Sequence, residues 1–115
     1  MNLWEETIDV LKKNNKTFND VIAICCSDFR LDFKNFIEIA IKTNYDNGFG
    51  GQEIATDLVL VGEDFWLERA EYDGSEWWEY KEKPEIPKEK KSIKKLGGGA
   101  WDTLWEINAH FLEEE

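Results

Sequence analysis

Apolar and polar positions alternate along this chain with periods that change from segment to segment, and each period predicts a different element. Trp4, Ile8 and Leu11 recur at helical spacing. Asn2 is placed to cap that segment, Glu5 and Glu6 sit in its first turn and Lys12 and Lys13 in its last, so a helix is predicted from about Leu3 to Lys13, ended by Asn14 and Asn15. The run from Val21 to Cys26 is short, apolar and rich in β-branched residues, which predicts a buried strand. Asp32 then caps a second predicted helix reaching about Thr43, with Phe33, Phe36, Ile37, Ala40 and Ile41 as a core-facing stripe. That helix ends in NYDNGFGGQE, whose glycines and asparagines suit positive-φ turn positions.

From Asp57 the period falls to two. DLVLVG, FWLERAEY and SEWWEYK read as three strands, with Gly62 to Asp64 turning the first pair and Asp73-Gly74 turning the second. KEKPEIPKEKKSIKK follows as a solvated extended arm or linker marked by Pro84 and Pro87. GGGAWDTLWEINAHFL then reads as a glycine hinge into an amphipathic helix whose apolar set is Trp101, Leu104, Trp105, Ile107 and Phe111. The expected fold is α+β, a small antiparallel β-meander of three to four strands packed with two to three α-helices. Its expected organisation is a core domain over 1–83, a charged and glycine-rich linker over 84–99 and the C-terminal helix over 100–115.

With Asp73 and Gly74 as the two turn residues, Leu67 faces Tyr80, Arg69 faces Trp78 and Glu71 faces Glu76. One side of the hairpin then offers Phe65, Leu67, Trp78 and Tyr80 to a core, with Arg69 lying over the Trp78 ring. The other side carries Trp66, Glu68, Ala70, Tyr72, Trp77 and Glu79. Two readings of that second side stay open: a helix from either terminus covers it, or it is a binding surface rich in residues that anchor interfaces. A three-residue turn would shift the register by one and exchange all these partners.

Charge narrows the function. The chain holds 25 acidic and 14 basic residues, a formal net charge of −11, which repels nucleic acid and anionic membranes. Its 42% hydrophobic content separates it from disordered acidic chains, so it is expected to fold. No apolar run is long enough to span a membrane and the N-terminus lacks the pattern of a secretory signal, so a cytoplasmic location is expected. Cys25 and Cys26 are adjacent, which disfavours a disulfide between them, and they read as buried structural thiols. The charge is also uneven, since residues 57–79 are strongly acidic while residues 81–96 are dominated by lysine.

Chemistry for catalysis is sparse. The single histidine, His110, sits beside Phe111 and Leu112 with no nucleophile nearby in sequence. Glu68 and Glu79 face each other in the expected register, but acidic pairs arise readily in so acidic a chain. Asp28, Asp32 and Asp46 lack the dense oxygen-ligand spacing of a calcium loop and read as capping or structural groups. GFGG and GGG lack the context of a nucleotide-binding loop. No catalytic residue, metal or cofactor is expected, and the chain reads as a non-enzyme.

The helix FKNFIEIAIKTNYD, the loop GFGGQEIA, the strand DLVLVG and the segment FWLERAEYDGSEWWEYKEKP together resemble a group of small proteins encoded by phages and prophages of low-GC Gram-positive bacteria. The likeness covers roughly residues 17 to 84, with YDGSEWWEYK its most specific part. It implies a phage context, hence the host cytoplasm, and no site. Joined to the acidic sheet and the absence of catalytic residues, it leads to the expectation of a non-catalytic inhibitor of a host protein, such as a nucleic-acid-handling defence factor. Trp66, Tyr72 and Trp77 would anchor it, with Glu68, Glu71, Asp73, Glu76 and Glu79 standing in for phosphates. The alternative is a sequestering protein for a small nucleotide-type ligand, with bases stacked on the aromatic rings and Arg69 or the lysine arm meeting phosphates. A homodimer is expected because exposed aromatic helices seldom stay unpaired.

Overall fold

A computed structural model describes residues 1–48 and 50–113 of the chain. Phe49 of the glycine loop and the last two residues of the expected C-terminal helix lie outside the described residues. Two compact units divide the chain, Met1–Pro84 and Glu85–Glu115.

The first unit is α+β, as its periodicities predict. Helix α1 spans Leu3–Lys13, and the Asn2 side chain accepts a hydrogen bond from the Glu5 N–H, meeting one of the donors a helix N-terminus leaves free. Asn14 ends it and Asn15 takes the left-handed backbone (φ 60°) that asparagine tolerates. Strand β1 runs Val21–Cys25, and helix α2 runs Phe33–Lys42 with the Asp32 carboxylate accepting from the Asn35 N–H. Strands β2 (Val59–Gly62), β3 (Phe65–Tyr72) and β4 (Ser75–Glu82) complete a four-stranded antiparallel sheet in the order β1-β2-β3-β4.

The β3–β4 register is the one that Asp73-Gly74 specifies. Leu67 pairs with Tyr80, Glu68 with Glu79 and Arg69 with Trp78. Both turn residues take positive φ, 50° at Asp73 and 85° at Gly74, as a two-residue hairpin turn of this hand requires. Gly62 is fixed for a different reason: a side chain there would run into the Phe65 ring at the β2–β3 turn.

Both helices pack on one face of the sheet. Their buried residues, Leu3, Leu11, Phe36 and Ala40, meet Val21, Ile24, Leu60, Phe65, Leu67 and Trp78 in a single core. The α2 stripe is narrower than its spacing predicts, because Phe36 and Ala40 are buried and Ile37 is half-buried while Phe33 and Ile41 are exposed. The segment after α2 also feeds the core, through Tyr45, Ile54 and Leu58. The cysteines depart from expectation. Cys25 and Cys26 are free and only half-buried: Cys25 points to the side of the sheet away from the helices, and Cys26 begins the turn that folds back along β1.

In the second unit the expected single helix is two short ones, α3 (Leu104–Ile107) and α4 (Ala109–Glu113), and Trp101 precedes them with left-handed backbone (φ 68°). Thr103 caps α3, accepting from the Glu106 N–H at 3.2 Å. Asn108, buried between the two helices, explains the break. Its side-chain oxygen accepts from the backbone N–H groups of Lys94 and Lys95, and its amide donates to the carbonyls of Lys95 and Leu104. The lysine arm is thereby tied to the C-terminal helices within this unit.

Candidate functional site

Alternation along β3 and β4 sorts their side chains into two environments. Phe65, Leu67, Arg69, Glu76 and Trp78 are buried against the helices. Trp66, Glu68, Ala70, Trp77 and Glu79 project to the other face together with Ala23, Cys25, Val59 and Val61, and none of these nine belongs to the core. The N-terminal helix therefore does not take the second face.

On that second face the ladder sets a fixed order. Trp66 lies opposite Lys81, Glu68 opposite Glu79, and Ala70 opposite Trp77. Two facing carboxylates thus sit midway between two indoles, which are about 13 Å apart along the strand direction at the usual rise per residue. Each indole is tied to a carboxylate two residues on in its own strand: Trp66 Nε1 donates to Glu68 Oε1 (3.2 Å) and Trp77 Nε1 to Glu79 Oε2 (3.0 Å). Both N–H groups are thereby satisfied within the sheet. Lys81 Nζ lies 2.8 Å from Glu68 Oε1, and this ammonium, then the Trp66 N–H, holds the Glu68 carboxyl below the usual carboxylate range. A group held ionised in this way is a poor proton donor at neutral pH and a good partner for a cation.

Tyr72 belongs to the same face by alternation but stands at the turn, 76% exposed and opposite Ser75. Trp77, the other exposed ring of the set, flanks β4 beside a cleft of about 330 Å³ lined by Glu6, Asp9, Val10, Lys13, Asn47 and Trp78.

Arg69 is elsewhere. The structure places it on the core face with no exposed side-chain area, so it does not join Trp66, Glu68, Trp77 and Glu79. Its Nη2 donates to Glu76 Oε2 (2.8 Å) and to the Tyr45 hydroxyl (3.0 Å), and its Nη1 donates to Glu6 Oε1 (3.2 Å). Tyr45 in turn donates to Glu6 at 2.6 Å, and the guanidinium lies 4.7 Å from the Trp78 ring centroid, the expected cation–π contact. Trp78 Nε1 donates to the Thr7 hydroxyl, which joins β4 to α1. Burial first, and then the bond to Glu6, pushes the Tyr45 phenol up to about 12.

Glu76 is likewise internal. Besides Arg69 it accepts from the backbone N–H groups of Glu53 and Ile54, so it pins the segment after the glycine loop to the sheet and is not part of an exposed acidic surface. Among the residues expected to stand in for phosphates, Glu71 and Asp73 are exposed and Glu68 and Glu79 half-exposed, while Glu76 is buried. Sequence reasoning missed the Glu6–Arg69–Glu76–Tyr45 network because its members lie on α1, β3, β4 and a loop. A lone arginine among eight carboxylates in residues 57–79 was the available signal.

A further group joins the loop after β1 to the approach of β2. Cys26 Sγ and carboxylate oxygens of Asp28 and Asp57 lie within 4.8 Å of one another, and Asp57 accepts from the Ser27 N–H at 3.1 Å. That bond, with one from the Ser27 hydroxyl, lowers the Asp57 carboxyl below its ordinary range. Asp32 and Asp46 serve the backbone, accepting from the N–H groups of Asn35 and Gly48 respectively. Among the described residues, no helix is long and apolar enough to cross a membrane. No protein-family model, curated protein or solved structure matches this chain, so its chemistry has to be read from its own residues.

Proposed function

We propose that the protein is a non-catalytic binding protein that uses the second face of its sheet to hold a basic surface of another protein. The observation that carries this reading is the facing pair Glu68 and Glu79 set between Trp66 and Trp77, on a face that contributes nothing to the core. A lysine or arginine side chain entering there meets two carboxylates and the flat sides of two indoles whose N–H groups are already satisfied. Asp73, exposed at the hairpin turn, adds a further negative charge at the end of the same hairpin. In the phage context implied by residues 17 to 84, the fitting partner is a host protein whose basic cleft receives nucleic acid, and occupying that cleft would inhibit it.

The nucleotide-sequestering alternative loses its phosphate partner in the sheet, because Arg69 is buried on the opposite face with Nη1 and Nη2 bonded to Glu6, Tyr45 and Glu76, and carboxylates occupy the space between the indoles. The test is capture from bacterial lysate on immobilised protein, eluted by rising salt, beside the E68K/E79K and W66A/W77A variants. The expected result is a small set of basic nucleic-acid-binding proteins, released by salt and absent with either variant. A retained set that is indifferent to both variants, or a nucleotide-sized mass carried by the native protein in mass spectrometry, would sink the proposal.

A further inference from the structure

The facing carboxylates of the second face carry their own cation. Glu68 and Glu79 stand directly opposite each other across the β3–β4 ladder, an arrangement in which two like charges repel. Lys81 relieves it. It lies two residues beyond Glu79 on β4, opposite Trp66, and its ammonium reaches diagonally across the ladder to Glu68 Oε1 at 2.8 Å. The bond to Glu68 first, and then the charge of Glu79, hold that ammonium above the usual lysine range, so Lys81 answers both carboxylates. Among the described residues paired in the ladder, no other lysine or arginine lies on this face.

The sheet holds its two cations in different ways. Arg69, on the core face, has no exposed side-chain area and bonds Glu6, Tyr45 and Glu76 at once. Lys81 makes one ion pair with a half-exposed carboxylate, and about half of its own side chain is open to solvent. A pair of that kind is easily broken, because water competes for both charges. The oxygen it occupies also accepts from Trp66 Nε1 at 3.2 Å, so Lys81, Glu68 and one indole of the site converge on a single atom. A cation entering between Glu68 and Glu79 meets this ammonium, and two like charges at one carboxylate pair repel.

We propose that Lys81 is a built-in competitor for this site: in the free protein it takes the place of the partner's cation, and it is displaced when a lysine or arginine of the partner enters. Lys81 thereby sets specificity. A lone cation gains little by replacing an ammonium already in place, whereas a basic surface that also covers Trp66 and Trp77 gains the rest of the face. This inference rests on the reading of the second face as a surface that receives cations, and it assigns to that face the residue that opposes binding.

Titration of the full chain with N-acetylarginine amide tests it, followed by NMR of the Trp66 and Trp77 indole N–H signals and of the Lys81 ammonium, with N-acetylcitrulline amide as an uncharged probe of similar shape. Wild type is compared with K81Q, K81R and K34Q. Lys34 is exposed on α2, which packs on the other face, so K34Q changes the net charge as K81Q does without touching the site. The arginine probe, and not the citrulline probe, is expected to shift the indole signals and to release the Lys81 ammonium from Glu68. K81Q is expected to bind the arginine probe about two- to fivefold more tightly than wild type, the equilibrium factor of an exposed ion pair, with K81R and K34Q no tighter than wild type. Equal or weaker binding by K81Q overturns the proposal. So does equal tightening in K34Q or K81R, or a Lys81 signal that stays unchanged while the probe binds. In those cases the probe still binds and the reading of the face stands. Indole signals that ignore the arginine probe in wild type and K81Q alike overturn that reading and this inference together.

Discussion

Arg69 with Glu76 and Lys81 with Glu68 are two ion pairs of the same hairpin with the same separation, 2.8 Å, on opposite faces. The first has almost no exposed side-chain area; the second is 48% exposed at the lysine and 37% at the glutamate. Equal geometry therefore implies unequal energy. In the buried pair each charge has lost its water and depends on its partners, while in the exposed pair solvent competes for both. The same alternation that assigns a charge to one face assigns it to structure or to recognition.

The largest effect is expected from Arg69→Ala. It leaves Glu6 and Glu76 without their cation and takes the guanidinium from the Trp78 ring, a loss of about 3–5 kcal/mol measurable as a lower urea midpoint. If Arg69→Ala costs no more than Lys81→Ala, the contrast between the faces fails. Next comes Gly62→Ala, whose added methyl meets the Phe65 ring in the core, expected to cost about 1–3 kcal/mol in the same unfolding experiment.

The buried network also sets a pH limit. The folded protein holds the Tyr45 proton more tightly than the unfolded chain does, about 12 against an ordinary 10.0. Its contribution is therefore complete below pH 10 and is lost as pH rises from 10 to 12. Urea midpoints across that window should fall less steeply in Tyr45→Phe than in wild type; equal slopes would remove Tyr45 from the account.

Smallest in stability are Lys81→Ala, at about 0–1 kcal/mol, and Trp66→Ala or Trp77→Ala, at about 1 kcal/mol or less from lost cross-strand contacts. These tryptophan variants nevertheless are the ones expected to abolish capture of a basic partner. Core-sized destabilisation by Trp77→Ala would show that the second face is structural after all.

Local signals made much of this legible. The caps Asn2 and Asp32 and the stripe around Phe36 placed both helices of the first unit, because capping and amphipathicity act over one or two turns. Asp73-Gly74 set the hairpin register, and the register alone assembled Trp66, Glu68, Trp77 and Glu79 on one face. Misreadings cluster where the deciding contact is distant. Asn108 breaks the C-terminal helix because its amide serves the backbone of Lys94 and Lys95, thirteen or fourteen residues earlier. The hairpin register already put Arg69 on the Trp78 side, but what closes it to a ligand is enclosure by Glu6, 63 residues away, and Tyr45, 24 away.

From its sequence alone this protein was determined to be an acidic α+β chain with an antiparallel meander and one aromatic, carboxylate-bearing hairpin face. Those properties follow from periods, caps and turn residues that each act within a few positions. Which charges are buried and which face both helices choose depended on contacts across the fold. Only the folded chain specifies what surrounds each charge, and burial, more than residue type, decides whether a carboxylate holds the core together or meets a partner.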